Sequence, residues 1–251
     1  MRKTFRFVGL MLMTSLSYGL ISCGSDGDDE PGISITPASV SMHYDDTQQL
    51  KADGATSWTV NDDFVAKVDG SGLVTARHIG TTQVIASNGK KSAICEVTVT
   101  PEYDLFDNPI FDWGASESSI SSKESHAFLR GSDNILFYDF SKNSTSCILG
   151  YSFKNGGLSS INAILNYSDY AKAGNYLIER YQPIGEDDGM FVFLDALTKD
   201  KAKTIVGLTT MKLSGSTVTS IIFMSASTAS NSGLSISNVL NEQMKNIEIV
   251  K

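Results

Sequence analysis

The 251-residue sequence predicts a multidomain chain: an all-β sandwich followed by an α+β domain in which helices lie on one antiparallel sheet. Three observations point there. Residues 33–101 alternate apolar and polar positions in short runs separated by turn residues, the rhythm of antiparallel strands. Residues 102–251 twice show a helical spacing followed by three strand-like runs, and a repeated αβββ unit lays helices on a sheet. The first 32 residues fit neither pattern.

At the amino terminus, Arg2, Lys3 and Arg6 precede a largely apolar run over 7–21, and small residues lead into Cys23. That is the layout of a secretory signal, and the run is shorter than the ~20 apolar residues a bilayer crossing requires. Leu20-Ile21-Ser22-Cys23 resembles a bacterial lipobox. The resemblance implies a signal peptide over 1–22 and lipidation at Cys23, whose thiolate is the side-chain nucleophile suited to accept a diacylglyceryl group. Two acyl chains already make a stable membrane anchor. Residues 23–32 then form an acidic, Gly-rich tether. Asp26, Asp28 and Asp29 lack the glycine and terminal glutamate of a calcium loop. The stretch is similar to the acidic signal behind the lipidated cysteine of surface-exposed Bacteroidetes lipoproteins, which implies an outer-membrane, cell-surface location.

Losing Arg2, Lys3 and Arg6 takes the formal charge from −8 to −11. No basic stripe is present to neutralise phosphates, so nucleic acid is excluded as a partner. With Cys23 lipidated, Cys95 and Cys147 remain, in different predicted domains; the expectation is two buried thiols rather than a disulfide.

In the sandwich, runs at 33–36 and 40–44 flank Pro37, and strands follow at 48–52, 57–60, 73–77 and 83–87. Asp69-Gly70-Ser71-Gly72 and Asn88-Gly89 supply turns. Ala93, Cys95, Val97 and Val99 then alternate with polar or outward positions, so that set faces a core. Roughly seven strands in about 70 residues is the density of an Ig-like sandwich. The stretch also resembles a group 2 bacterial Ig-like domain at Trp58, Val65-Ala66, Val68, Gly72-Leu73-Val74-Thr75, Gly80-Thr81, Val84-Ile85-Ala86 and Cys95-Glu96-Val97-Thr98-Val99. Such domains serve as spacers in adhesins and other surface proteins and carry no catalytic residues. Trp58 is therefore expected in the core. His78, where the family has small apolar residues before the glycine, is expected to face solvent.

In the second domain, Ser116 offers a helix N-cap with Glu117 in the first turn, and Ile120, Ala127 and Phe128 share one helical face. Strands are expected at 135–140, 147–153 and 158–167, with Asn155-Gly156-Gly157 as a hairpin turn. Ser168 caps a second helix through Tyr170, Ala173, Leu177 and Tyr181, ended by Pro183 and Gly185. Strands return at 190–194, 204–213 and 217–226; 227–238 reads as loop, and 239–250 as helix or strand. The segments FDWGAS and YLIERYQPIG resemble a C-terminal region of Bacteroides Ig-like lipoproteins. The element order is similar to β-lactamase-inhibitor-like and outer-membrane assembly lipoprotein domains.

Chemistry-bearing residues are sparse. His43, His78 and His126 lack metal-ligand spacing, and no nucleophile elbow or phosphate loop is present. Glu186-Asp187-Asp188 reads as a solvated turn rather than an acid/base pair, and Glu179 and Arg180, adjacent on a helix, are not expected to face each other. No metal, cofactor or catalytic residue is expected. Tyr103, Phe111 and Trp113 are the ligand candidates, since exposed rings stack on sugars; the competing reading makes them staples of the second core. The expected role is a non-catalytic binding or adhesion module for a glycan or protein, held to the membrane by its lipid, with the Ig-like domain as stalk. A structural subunit of an envelope assembly is the alternative, and a hydrolase comes third.

Overall fold

The computed structural model describes residues 32–132, 134–231 and 236–248, which belong almost wholly to the compact unit Ile33–Lys251. Cys23 and nearly all of the tether lie outside the described residues. Among the described residues strands far outnumber helices, so the fold is mostly β.

The Ig-like part packs two sheets. Strands β1 (Ser39–Met42), β7 (Ser92–Val99), β6 (Gly80–Ser87) and β3 (Ser57–Val60) form one, with β1 parallel to β7. Strands β2 (Thr47–Gln49), β5 (Leu73–Ala76) and β4 (Ala66–Val68) form the other. The alternation seen in sequence sets the core: Val84, Ala86, Cys95, Val97 and Val99 point inward against Leu50, Ala66 and Val74. Trp58 is half-buried against this core, as expected. It lies so close over Gly72 that a Cβ there would sit 2.7 Å from the indole, in a backbone with φ of 84°. Residues 33–36 contribute a single bridge, Thr36 to Lys51, instead of a strand.

The rest is one eight-stranded antiparallel sheet with few helices. Helix α1 (Glu117–Lys123) precedes the meander β8 (Ala127–Ser132), β9 (Ile135–Asp139), β10 (Cys147–Lys154) and β11 (Gly157–Asn166). A 3-10 turn and α2 (Tyr170–Ile178) precede a second meander, β12 (Gln182–Asp187), β13 (Met190–Leu194), β14 (Thr204–Leu213) and β15 (Ser216–Ser225). The order β12-β13-β14-β15-β11-β10-β9-β8 places the last strand of each meander side by side at the centre.

The two αβββ units are therefore corrected to a helix and four strands each, in a large sheet that is not clearly α+β. The unforeseen strands are the two edges. Ala127 and Phe128, assigned above to a helical face, lie in β8, because α1 stops at Lys123 after two turns. Pro183 and Gly185, assigned as helix terminators, sit at the bulge of β12, where an edge tolerates a missing N–H. Ser116 caps α1 as expected, its hydroxyl accepting from the Ser119 amide. Ser168 does not cap α2, since the 3-10 turn intervenes. Hairpins turn at Asn155-Gly156, Asp188-Gly189 and Ser214-Gly215, each with positive φ at both residues, the geometry that matches strand twist.

Helices cover one face of the sheet and part of the other. Tyr151, Ile161, Val206, Leu208, Ile221 and Phe223 pack with Ile120 of α1 and with Ala173, Tyr176 and Leu177 of α2. Alternate residues Val192, Ile205, Ile222 and Met224 face the other way, under α3 (Ala226–Asn231) and α4 (Ile236–Glu248). Residues 227–238, read above as loop, are thus helical over much of their described length, and the undecided 239–250 is helix as far as Glu248.

Candidate functional site

The three aromatic candidates do not form one surface. Tyr103 lies at the junction between the sandwich and the large sheet: its amide donates to Glu179 Oε1 at 3.1 Å and its carbonyl accepts from Arg180 at 3.0 Å. Phe111 packs edge-on against Phe223, with ring centroids 5.3 Å apart. Trp113 stands 6.0 Å from Phe111 and donates its indole N–H to Thr204 Oγ1 at 3.3 Å. All three are half-buried against the sheet core, the stapling arrangement, and Trp113 alone also lines a cleft.

That cleft encloses about 540 Å³ where Trp113, the β10–β11 hairpin, the end of β15 and α4 meet. Its walls are locally braced. The Gly114 amide donates to the Leu158 carbonyl at 3.0 Å, and the Leu158 amide donates to the Ala115 carbonyl at 2.8 Å. Gly157 lies so near Gly114 that a Cβ would come within 2.9 Å of the Gly114 carbonyl. Gln243 accepts from the buried Ser160 hydroxyl at 3.1 Å, and Ser225 and Ser227 share a 2.7 Å hydrogen bond. Lys154 and Glu242 are exposed at the rim and have no ion-pair partner among the described residues.

Two polar clusters escaped the sequence reading. At the junction, Glu179 is buried and accepts the amides of Glu102 and Tyr103, at 2.9 and 3.1 Å, and the Arg180 guanidinium. Arg180 stacks over the Tyr176 ring at 3.7 Å. The expectation that Glu179 and Arg180 stay apart is thus incorrect, because both lie just past the end of α2, where helical spacing no longer applies. His78, expected in solvent, is 2% exposed. It packs at a tilt against Phe64, with ring centroids 4.2 Å apart, and its Nδ1 donates to the Ile178 carbonyl at 3.2 Å, while the Ile79 amide donates to the Glu179 carbonyl at 2.8 Å. Burial holds the His78 pKa below its ordinary value near 6.5. The available sequence signal was its place at a position where the family carries apolar residues.

The second cluster pins residues 104–110. Lys142 bridges Asp104 and Asp107 at 2.9 and 2.7 Å, His126 reaches Asp107 and Glu124 at 3.4 and 2.6 Å, and the Tyr151 hydroxyl donates to Glu124 at 2.6 Å. Burial alone would raise the Glu124 carboxyl, but hydrogen bonds from Tyr151 and His126 outweigh it and hold the group below the usual range. Sequence spacing could not reveal this set, whose members come from four separate segments. Among the described residues no group of three or more His, Cys, Asp or Glu could hold a metal ion, and no helix is long and apolar enough to cross a membrane.

Comparison with known proteins assigns a family to the first part of the chain. No curated protein is similar to it. Among solved structures, a cysteine-rich secretory protein from Staphylococcus aureus subsp. aureus Mu50 is similar over 49% of this chain and 48% of its own length, at 16% identity and a TM-score of 0.21. Residues 31–99 match the family described as bacterial Ig-like domain (group 2), in agreement with the seven-stranded sandwich and its alternating core. The chain therefore carries a group 2 bacterial Ig-like domain ahead of its large sheet.

Proposed function

We propose that this protein is a lipid-anchored outer-membrane lipoprotein, exposed at the cell surface, that acts as a non-catalytic binding or adhesion module. In this reading residues 33–101 are a stalk, residues 102–251 are a presenting domain built from two related helix-and-sheet units, and the ligand is a glycan or protein. The observation that carries it is the braced cleft beside Trp113, lined by hydroxyls, amides and one aromatic ring, which are groups that hold a ligand. The Glu179 clamp supports the stalk role, because it ties the segment leaving the sandwich to the sheet that presents the cleft.

Protease shaving of intact cells, with detection of the large-sheet domain, tests the surface location. Loss of that domain is expected. Full protection would overturn it and favour a periplasmic assembly subunit. Cys23→Ala is expected to release the protein from the membrane fraction, and retention would refute the anchor.

A further inference from the structure

We infer that the cleft beside Trp113 is a saccharide site that takes a neutral oligosaccharide segment, stacked on the indole and hydrogen-bonded by the surrounding hydroxyls and amides. The inference rests on the cleft being the ligand site. Its volume of about 540 Å³ falls within the range of small-molecule sites, and its openness to solvent suits a chain that continues past it on either side.

The lining chemistry narrows the class. Ser159, Ser225, Ser227 and Thr228 offer hydroxyls, and Asn155 and Gln243 offer amides that both donate and accept. A ligand that matches them must alternate donors and acceptors over its whole surface, as a sugar does. Leu158 and Val239 alone are too little apolar surface for a lipid tail. Lys154 and Glu242 are opposite charges on one rim, so the field favours neither a phosphate nor a polycation. A peptide would need a free strand edge or an apolar groove. Strands β10, β11 and β15, which border the cleft, are each paired on both sides.

Trp113 is fitted to the stacking role. Its N–H is committed to Thr204, Phe111 packs beside it, and the following Gly114 is hydrogen-bonded to β11. The ring is therefore already oriented and loses little freedom on binding. Gln243 is likewise set by Ser160.

The test is binding of the full chain to an array of neutral, sulfated and phosphorylated oligosaccharides, followed by titration of each neutral hit. Expected are hits whose affinity falls at least tenfold in Trp113→Ala and in Ser227→Arg. The second variant changes an exposed rim residue and fills the cleft without touching the core. Affinity should change less than threefold between low and high salt. A blank array, hits confined to sulfated or phosphorylated glycans, or binding that survives Ser227→Arg would overturn the inference. A photo-crosslinking residue at position 227 separates the two levels of failure. Capture of a surface protein alongside a blank array refutes the saccharide class and keeps the cleft as a ligand site; a blank in both refutes the cleft as well.

Discussion

His78 and Cys147 show how single residues take their properties from burial. The folded state holds His78 neutral because burial disfavours its cation, whereas the unfolded chain takes up a proton near pH 6.5. The unfolded state thus binds more protons below about pH 6.5, so the full stability present above that pH is lost progressively on acidification toward the folded pKa. The slope reaches at most about 1.4 kcal/mol per pH unit. Urea unfolding between pH 8 and 5 should show this fall, and His78→Phe, which keeps the packing on Phe64, should flatten it; an unchanged slope would refute the assignment. Burial also pushes the Cys147 thiol up to about 12 and raises that of Cys95. Neither should react with a thiol reagent at pH 8 in the native protein, and both should react in urea, as mass spectrometry of the alkylated protein would show.

At the scale of elements, the packing of α4 on the sheet depends on one missing side chain. A Cβ at Gly207 of β14 would lie 2.6 Å from Met190 Sδ and 2.8 Å from Leu240 Cδ1. Gly207→Val should therefore push α4 off its face and destabilise the protein by about 1–3 kcal/mol through overpacking. A denaturation midpoint equal to wild type would contradict that placement of α4. The strands differ in how well their sequences announce them. β10, β11, β14 and β15 are long, apolar and joined in pairs by turns whose Asn-Gly or Ser-Gly residues take positive φ. β8 and β12 are exposed edges with bulges, so alternation and apolar content both fade there.

For the whole molecule, the decisive contact is the buried clamp at Glu179. Glu179→Ala would strand the amides of Glu102 and Tyr103 and leave Arg180 without its carboxylate. A loss of about 3–5 kcal/mol is expected from breaking such a buried pair. Calorimetry should record one cooperative transition for wild type and two for the variant, as the sandwich and sheet melt separately; a single transition in both would show that other contacts couple them.

The sequence by itself determined most of the sandwich, the six central strands of the large sheet, the N-cap at Ser116 and the inward set Cys95, Val97 and Val99. Each of these depends on neighbours within a few residues, on period-two alternation or on turn chemistry. It also named Trp113, though not the cleft. Tertiary structure alone decided that His78 is covered, that Glu179 and Arg180 meet at the junction, and that Asp107, Glu124, His126 and Lys142 form one network. It also decided which helices cover which sheet face, and that Gln243 and Trp113 line the same cleft. The physical reason is sequence separation: burial and hydrogen bonding at these positions are set by residues tens of positions away, and no local pattern encodes which distant segment will arrive.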